Sequence, residues 1–254
     1  MMKELYKADE VIRDSITSCY PREWDENHIT YTWLSRLRNH APKIPFSKHS
    51  RINVIWDAYK MKGQLEQDNG DVAFIVKVTF KNGNSLSGVA FLEAKRIYEN
   101  GKYDALKWEQ LKHMTSNSSH HHLLLYDFQA QEIPNTLPCG CCYWDDCLDS
   151  KRGIGIVIPT LHALTYEEKD RSLASVGYRL SEQIFLRYFR GLDLNFDQTL
   201  VENVKAGIAG GVQYLAVAHV MLSDEVNVEL SLRDVQPNEG SGFHRLNANN
   251  EQRG

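Results

Sequence analysis

No run of apolar residues in this chain approaches the roughly twenty that a membrane span needs. The opening stretch, MMKELYKADEVIRDS, is charged and has no apolar core of the signal-peptide kind. A cytoplasmic location and no membrane partner are the expectation. Nucleotide-cradling glycine loops, G-x-x-x-x-G-K-[ST] or G-x-G-x-x-G, are missing. Gly210-Gly211 follows a helical pattern and reads as its terminator. There is no internal repeat and no low-complexity segment. Cysteine is scarce: there are five, four of them bunched between 139 and 147. In a reducing compartment such a group reads as thiols or metal ligands rather than disulfides. A basic surplus is missing too, since the formal net charge is −4. That argues against a globally basic nucleic-acid binder.

What is present is ordinary for one soluble globular domain of 254 residues, with 42 % apolar and 24 % charged side chains. The charge is uneven. Between Arg36 and Lys62 stand seven basic residues and a single acid, Asp57. A second basic group is Lys95, Arg96, Lys102, Lys107 and Lys112. Such runs are either solvated faces or local polyanion sites, because local potential steers a ligand more than net charge does.

Periodicity predicts a helix over WDENHITYTWLSRLRNH (24–40), capped within Asp25–Asn27. Two prolines in APKIPFSK then interrupt it. RINVIWDAY, DVAFIVKVTF and GVAFLEAKR read as three strands, the last two joined by an Asn82-Gly83 hairpin turn. A helix over YDALKWEQLKHMTS and a strand over HHLLLYDF follow. The first half thus runs α-β-β-β-α-β, a mixed α/β core over about 23–128. A cysteine-containing insertion spans about 129–152. A C-terminal α+β elaboration spans about 153–236, with a strand at GIGIVIP, helices over 172–191 and 197–211, and a final hairpin turned at Ser223-Asp224. A polar tail occupies 237–254.

In GVAFLEAKR, Val89, Phe91, Glu93 and Lys95 share one face of the strand and Ala90, Leu92 and Ala94 the other. Both faces are apolar before position 93, so the strand is central in its sheet. A carboxylate there must be paired, hydrated or bound to a cation. Asp71 lies twelve residues before Gly83, and Glu93 to Lys95 lie ten to twelve after it. Folding the hairpin therefore brings two carboxylates and an amine to one sheet edge. One or two carboxylates, with water and phosphate oxygens, suit Mg²⁺ or Mn²⁺. A neighbouring lysine can orient or deprotonate a water, and the set suits phosphodiester hydrolysis. Gln110 falls on the core-facing stripe of the next helix, with Tyr103, Leu106 and Met114. It either contacts substrate phosphate or water, or satisfies a backbone group.

The element order, the Asp opening the second strand and E-x-K on the third resemble the PD-(D/E)xK nuclease superfamily, with its restriction-endonuclease-like fold. The resemblance implies that Asp71 and Glu93 are metal-binding acids, Lys95 the catalytic lysine and Gln110 the glutamine some members carry. Glu23 or Glu26 would match an extra acid before the first helix. Gly70 stands where the superfamily's name has proline, and Asp57 competes with Asp71 for the first acid. Asp57 sits mid-strand, far from the end of the third strand, so Asp71 is preferred. The implied activity is metal-dependent endonucleolysis, DNA favoured over RNA, at the level of fold in prokaryotic defence or repair. Arg36, Arg38, Lys48, Arg51, Lys60 and Arg96 are the candidate nucleic-acid contacts. A homodimer or a partner protein would use the C-terminal elaboration. The alternative is a non-catalytic binding or assembly subunit on the same fold.

Cys139, Cys141, Cys142 and Cys147 are candidate ligands for a structural Zn²⁺. Their C-x-C-C-x₄-C spacing lacks the two separated knuckles of structural zinc sites, which favours a cysteine-rich surface insertion. His120–His122 alternate faces at a strand start, which argues against a three-histidine metal site. Tyr178, Phe185, Tyr188 and Phe189 are read as core or interface.

Overall fold

The computed structural model describes residues 2–40, 43–45, 52–62, 70–117, 120–132, 152–209, 211–222 and 230–246. Its helices are α1 (Met2–Ser18), α2 (Glu26–His40), α3 (Trp108–Asn117), α4 (Thr160–Tyr166), α5 (Leu180–Glu182) and α6 (Gln198–Lys205). Its strands are β1 (Lys43–Pro45), β2 (Ile52–Met61), β3 (Val72–Phe80), β4 (Ser85–Arg96), β5 (His121–Glu132), β6 (Arg152–Pro159), β7 (Tyr178–Arg179), β8 (Tyr214–Leu222) and β9 (Phe243–Arg245). Among the described residues these strands form one mixed sheet, ordered β1-β2-β8-β3-β4-β5-β6-β7, with β9 paired to β2.

The hairpin forms at the Asn82-Gly83 signal, but over a three-residue loop, 81–83, closed by the Phe80 N–H on the Asn84 carbonyl, rather than the two-residue turn expected. Gly83 adopts φ +82°, and its N–H donates to the Phe80 carbonyl at 2.9 Å. The register pairs Val72 with Leu92, so Asp71 lies one step beyond, opposite Glu93. β4 is central, antiparallel to β3 and parallel to β5. α2 starts at Asp25, whose side chain accepts from the N–H groups of Asn27 and His28 at 3.0 and 3.2 Å.

Three apolar clusters cover the two sheet faces. On one face α1 and α2 pack Ile16, Trp33 and Leu34 against Ala90, Leu92 and Ala94. The other face carries two separate clusters. α6 covers Ala73, Val89, Phe91 and Leu215 with Val201 and Val204. α3 covers Leu123, Leu125 and Ile156 with Leu111 and Met114. Phe91 belongs to the first of these, and Leu123, the partner of Glu93, to the second. Glu93 therefore projects into the seam between them.

The structure departs from the sequence reading in four further places. α1 carries an apolar stripe, Leu5, Ala8, Ile12 and Ile16, that its many charges obscure. The helix expected over 172–191 is broken. A 3₁₀ turn (Arg171–Val176) leads to β7, and α5 continues as a π turn (Gln183–Arg187) and a 3₁₀ turn (Tyr188–Arg190). Gly177 explains the break, because a Cβ there would stand 2.4 Å from Ile156 Cγ2, so the chain runs flat against β6. β8 is not appended to the sheet. It runs between β2 and β3, antiparallel to the first and parallel to the second. The expected last hairpin turn lies outside the described residues, and 230–232 are not strand. No described helix is long and apolar enough to cross a membrane.

Candidate functional site

Asp71, Glu93, Lys95 and Gln110 converge at the seam. Glu93 is wholly buried. Its Oε1 accepts from Lys95 Nζ and, at 3.3 Å, from the Gln110 side-chain amide. Its Oε2 is also buried and has no hydrogen-bond partner among the described residues. Asp71 Oδ2 accepts from the Ala94 N–H at 2.8 Å. The Asp71 carbonyl accepts from the N–H groups of Gln213 and Tyr214 at 3.0 and 2.9 Å, which fixes the residue to the start of β8.

Among the described residues the acids at this place outnumber the bases. Two buried carboxylates face one buried ammonium, and a third carboxylate, Glu26, stands at the rim. Glu26 accepts from the Arg96 N–H at 3.2 Å and lies 3.8 Å from its guanidinium. Glu23 is turned to His28 at 3.1 Å, so Glu26 is the acid that reaches this place. Burial pushes the Asp71 carboxyl up to about 7, helped by Glu93 and opposed by Lys95 and the Ala94 N–H. Burial lowers the Lys95 ammonium, but Glu93 and Asp71 outweigh it, and the net shift is upward. Lys95 thus keeps its proton at Nζ. In that state it can orient a water or neutralise charge.

Whether a divalent cation fits follows from the orphaned oxygen. A buried carboxylate oxygen without a donor carries a desolvation cost of several kcal/mol. A hard cation between Glu93 and Asp71 would remove that cost and balance the excess charge. Among the described residues no three His, Cys, Asp or Glu side chains gather as a complete metal cage. The residues present would therefore hold a cation by two carboxylates, with the remaining positions left to water or phosphate, the habit of Mg²⁺.

The expected nucleic-acid contacts divide. Arg96 flanks the site and lies over the Tyr98 ring at 4.2 Å. Lys60 is exposed, 5.5 Å from the Tyr214 ring centre and 5.6 Å from that of Tyr31. Tyr214 pairs with Val72, so Lys60 stands two strands from Asp71, roughly 10 Å away. Arg36 lies ten residues along α2 from Glu26, about 15 Å, and donates to Ser18 Oγ at 3.0 Å. Arg38 is engaged elsewhere: its guanidinium binds the Asp57 carboxylate and the Leu246 carbonyl. Lys48, Arg51 and the four bunched cysteines lie outside the described residues.

Asp57, the rival first acid, is buried in β2 and fully served. Arg38 and Arg245 bind its two oxygens, and the Ala58 N–H donates to it at 2.9 Å. His121 and His122 point apart, as alternation requires. His122 Nδ1 meets Tyr188 Oη at 3.2 Å, and burial pushes its pKa down to about 4. His121 lies on the Glu93 face, with Nδ1 2.9 Å from Thr160 Oγ1. Sequence reasoning missed this buried neighbour of the site, although the histidine run marked the place.

Comparison with protein-family models, curated proteins and solved structures returns no match, so the family resemblance rests on these residues and their placement.

Proposed function

We propose that this protein is a metal-dependent nuclease that hydrolyses phosphodiester bonds at the Asp71–Glu93–Lys95 site. The observation that carries the reading is the buried Glu93 Oε2, unbonded beside a second carboxylate whose affinity for a proton is raised. Such an under-compensated acid pair is what a cation site presents before it is loaded.

Asp71 and Glu93 would hold Mg²⁺ or Mn²⁺. When bound, the cation supplies neutralisation of the charge that gathers on the scissile phosphate. The chain's own residues do the rest. Lys95 Nζ, protonated and anchored to Glu93, donates to a phosphoryl oxygen or to the attacking water. The Gln110 amide holds Glu93 Oε1 and fixes the carboxylate's rotation. The Ala94 N–H does the same for Asp71. Arg96 and Lys60 lie to either side and offer positive charge to a phosphate backbone, with DNA the first substrate to try.

The competing reading is a non-catalytic nucleic-acid-binding or assembly subunit. The Lys95–Glu93 ion pair favours it, because it is already satisfied inside the fold. One assay separates the two. The purified chain, Glu93→Ala and Lys95→Ala are incubated with supercoiled DNA, single-stranded DNA and RNA in EDTA, Mg²⁺ and Mn²⁺. The nuclease reading expects cutting that needs metal and falls at least about a thousandfold in each variant. Cutting in EDTA, cutting equal in all three proteins, or no cutting under any condition overturns it.

A further inference from the structure

Asp71 is held in place from outside its own strand. It precedes the first β3 pair, and its carbonyl and carboxylate are bonded to β8 and β4 respectively. The residue before it, Gly70, turns the chain with φ +96°. A Cβ at Gly70 would lie 2.9 Å from the Leu92 carbonyl oxygen and 3.1 Å from His121 Nε2. Position 70 therefore needs glycine for its backbone angle and for the space at once. Nearest to that missing Cβ are the Leu92 main chain and one side chain, the imidazole of His121.

That imidazole is itself fixed. Its Nδ1 meets Thr160 Oγ1 at 2.9 Å, and Thr160 is wholly buried where β6 passes into α4. His121 is 3 % exposed, too enclosed to meet a substrate. It pairs with Phe91, two residues from Glu93 and on the same face. An apolar ring would fill this space without the desolvation cost of an imidazole. What the imidazole adds is a hydrogen bond that selects one ring orientation, with the Nε2 edge set against Gly70.

We propose that His121, oriented by Thr160, is a positioning residue that fixes the Gly70–Asp71 corner and with it the Asp71 carboxylate. The proposal rests on reading Asp71 and Glu93 as a divalent-cation site. Strands β8, β3, β4 and β5 then each hold one side of the corner, and β5 acts through His121. A ligand carboxylate that drifts by about half an ångström no longer meets a cation together with its partner. Supporting groups of this kind change metal affinity by roughly 10- to 100-fold when removed.

The test measures Mn²⁺ affinity directly on the full chain, by electron paramagnetic resonance titration at pH 8, beside melting temperature and steady-state cleavage. The variants are His121→Ala, Thr160→Val, Thr160→Ser and, as a stability control, Thr30→Val. The last removes a buried hydroxyl bond to Tyr126 on the opposite face of the sheet. Thr160→Val is expected to weaken Mn²⁺ about tenfold and lower kcat, with KM for DNA within twofold. Thr160→Ser keeps the hydroxyl and restores both. Thr30→Val lowers the melting temperature without moving Mn²⁺ affinity. Mn²⁺ affinity unchanged in Thr160→Val, or following melting temperature across all four variants, overturns the proposal. If His121→Ala does not fold, the isosteric Thr160→Val decides. A wild-type chain that binds no Mn²⁺ overturns the cation-site reading along with it, and that is seen before any variant is measured.

Discussion

Asp57 and Asp71 are both buried aspartates at the same sheet, and the protein treats them in opposite ways. Two guanidiniums and a main-chain N–H close on Asp57, and both of its oxygens are served. Asp71 accepts from the Ala94 N–H beside Glu93, which takes the Lys95 ammonium on one oxygen and has no partner among the described residues on the other. The first centre joins β2 to α2 and to the C-terminal segment, and its charge is spent on architecture. In the second, burial and a neighbouring carboxylate raise the proton affinity of Asp71. The difference teaches that burial alone does not tell two acids apart, whereas the charges and donors around each one do.

The comparison is sharpened most by removing the saturated acid. Asp57→Ala leaves Arg38 facing a space that held its counter-charge. Breaking a buried pair in this way costs roughly 3–5 kcal/mol, so urea unfolding is expected to show a loss of that order. Cleavage per folded molecule should stay within a few-fold of wild type. A stable variant with no activity would reverse the roles of the two aspartates.

Asp71→Asn should act in the other direction. A carboxyl whose pKa rises to about 7 on folding is favoured protonated in the native state. Its destabilising effect is absent below the unfolded value near 4, grows as pH rises from there, and is complete above 7. The asparagine keeps the acceptor for the Ala94 N–H and removes the charge. At pH 8 in EDTA it is expected to gain about 2 kcal/mol, and at pH 4 to gain little. Unfolding curves at the two pH values check this, and equal stability at both would place Asp71 with Asp57. The same protonation competes with a cation, so Mn²⁺ affinity of the wild-type chain should fall by nearly tenfold from pH 6 to pH 5.

The smallest effect belongs to Gln110→Ala. Its 3.3 Å contact to Glu93 is long, and a rate loss of about tenfold or less is expected, with the metal requirement unchanged. A loss as large as that of Lys95→Ala would make Gln110 part of the reacting set.

How much of this could be read in advance depends on distance along the chain. The meeting of Asp71 with the Glu93–Lys95 end of β4 is legible because the Asn82-Gly83 signal places the hairpin, but its exact register is not, since the loop closes over three residues, 81–83, rather than two. The E-x-K face is legible from the strand's period of two. The fate of Arg38 is not, since its partners Asp57 and Leu246 belong to elements 19 and 208 residues away. Asp57 could be set aside from the site by position, but Arg245 as its second partner had no local signal. Tyr188 shows the same limit from another side. It falls on an aromatic stripe, but nothing nearby announces the close approach at Gly177 that breaks the expected helix. Glu93 was visible as an anomaly, and its bare oxygen was not, because an absent donor is a property of the packed state.

The place of β8 has a consequence for how the chain comes into being. Val72 lies against Tyr214, a partner that emerges from the ribosome 142 residues later. At about 5–20 residues per second, β3 waits some 7–30 s for its neighbour. Until then β2 and β3 have no strand to join them, and Asp71 lacks the N–H groups that anchor its carbonyl. The acid pair itself lies within one hairpin, but the outer anchor of Asp71 is among the last features to be available. A nascent chain released before residue 214 would carry every residue of the proposed site without the strand that anchors Asp71.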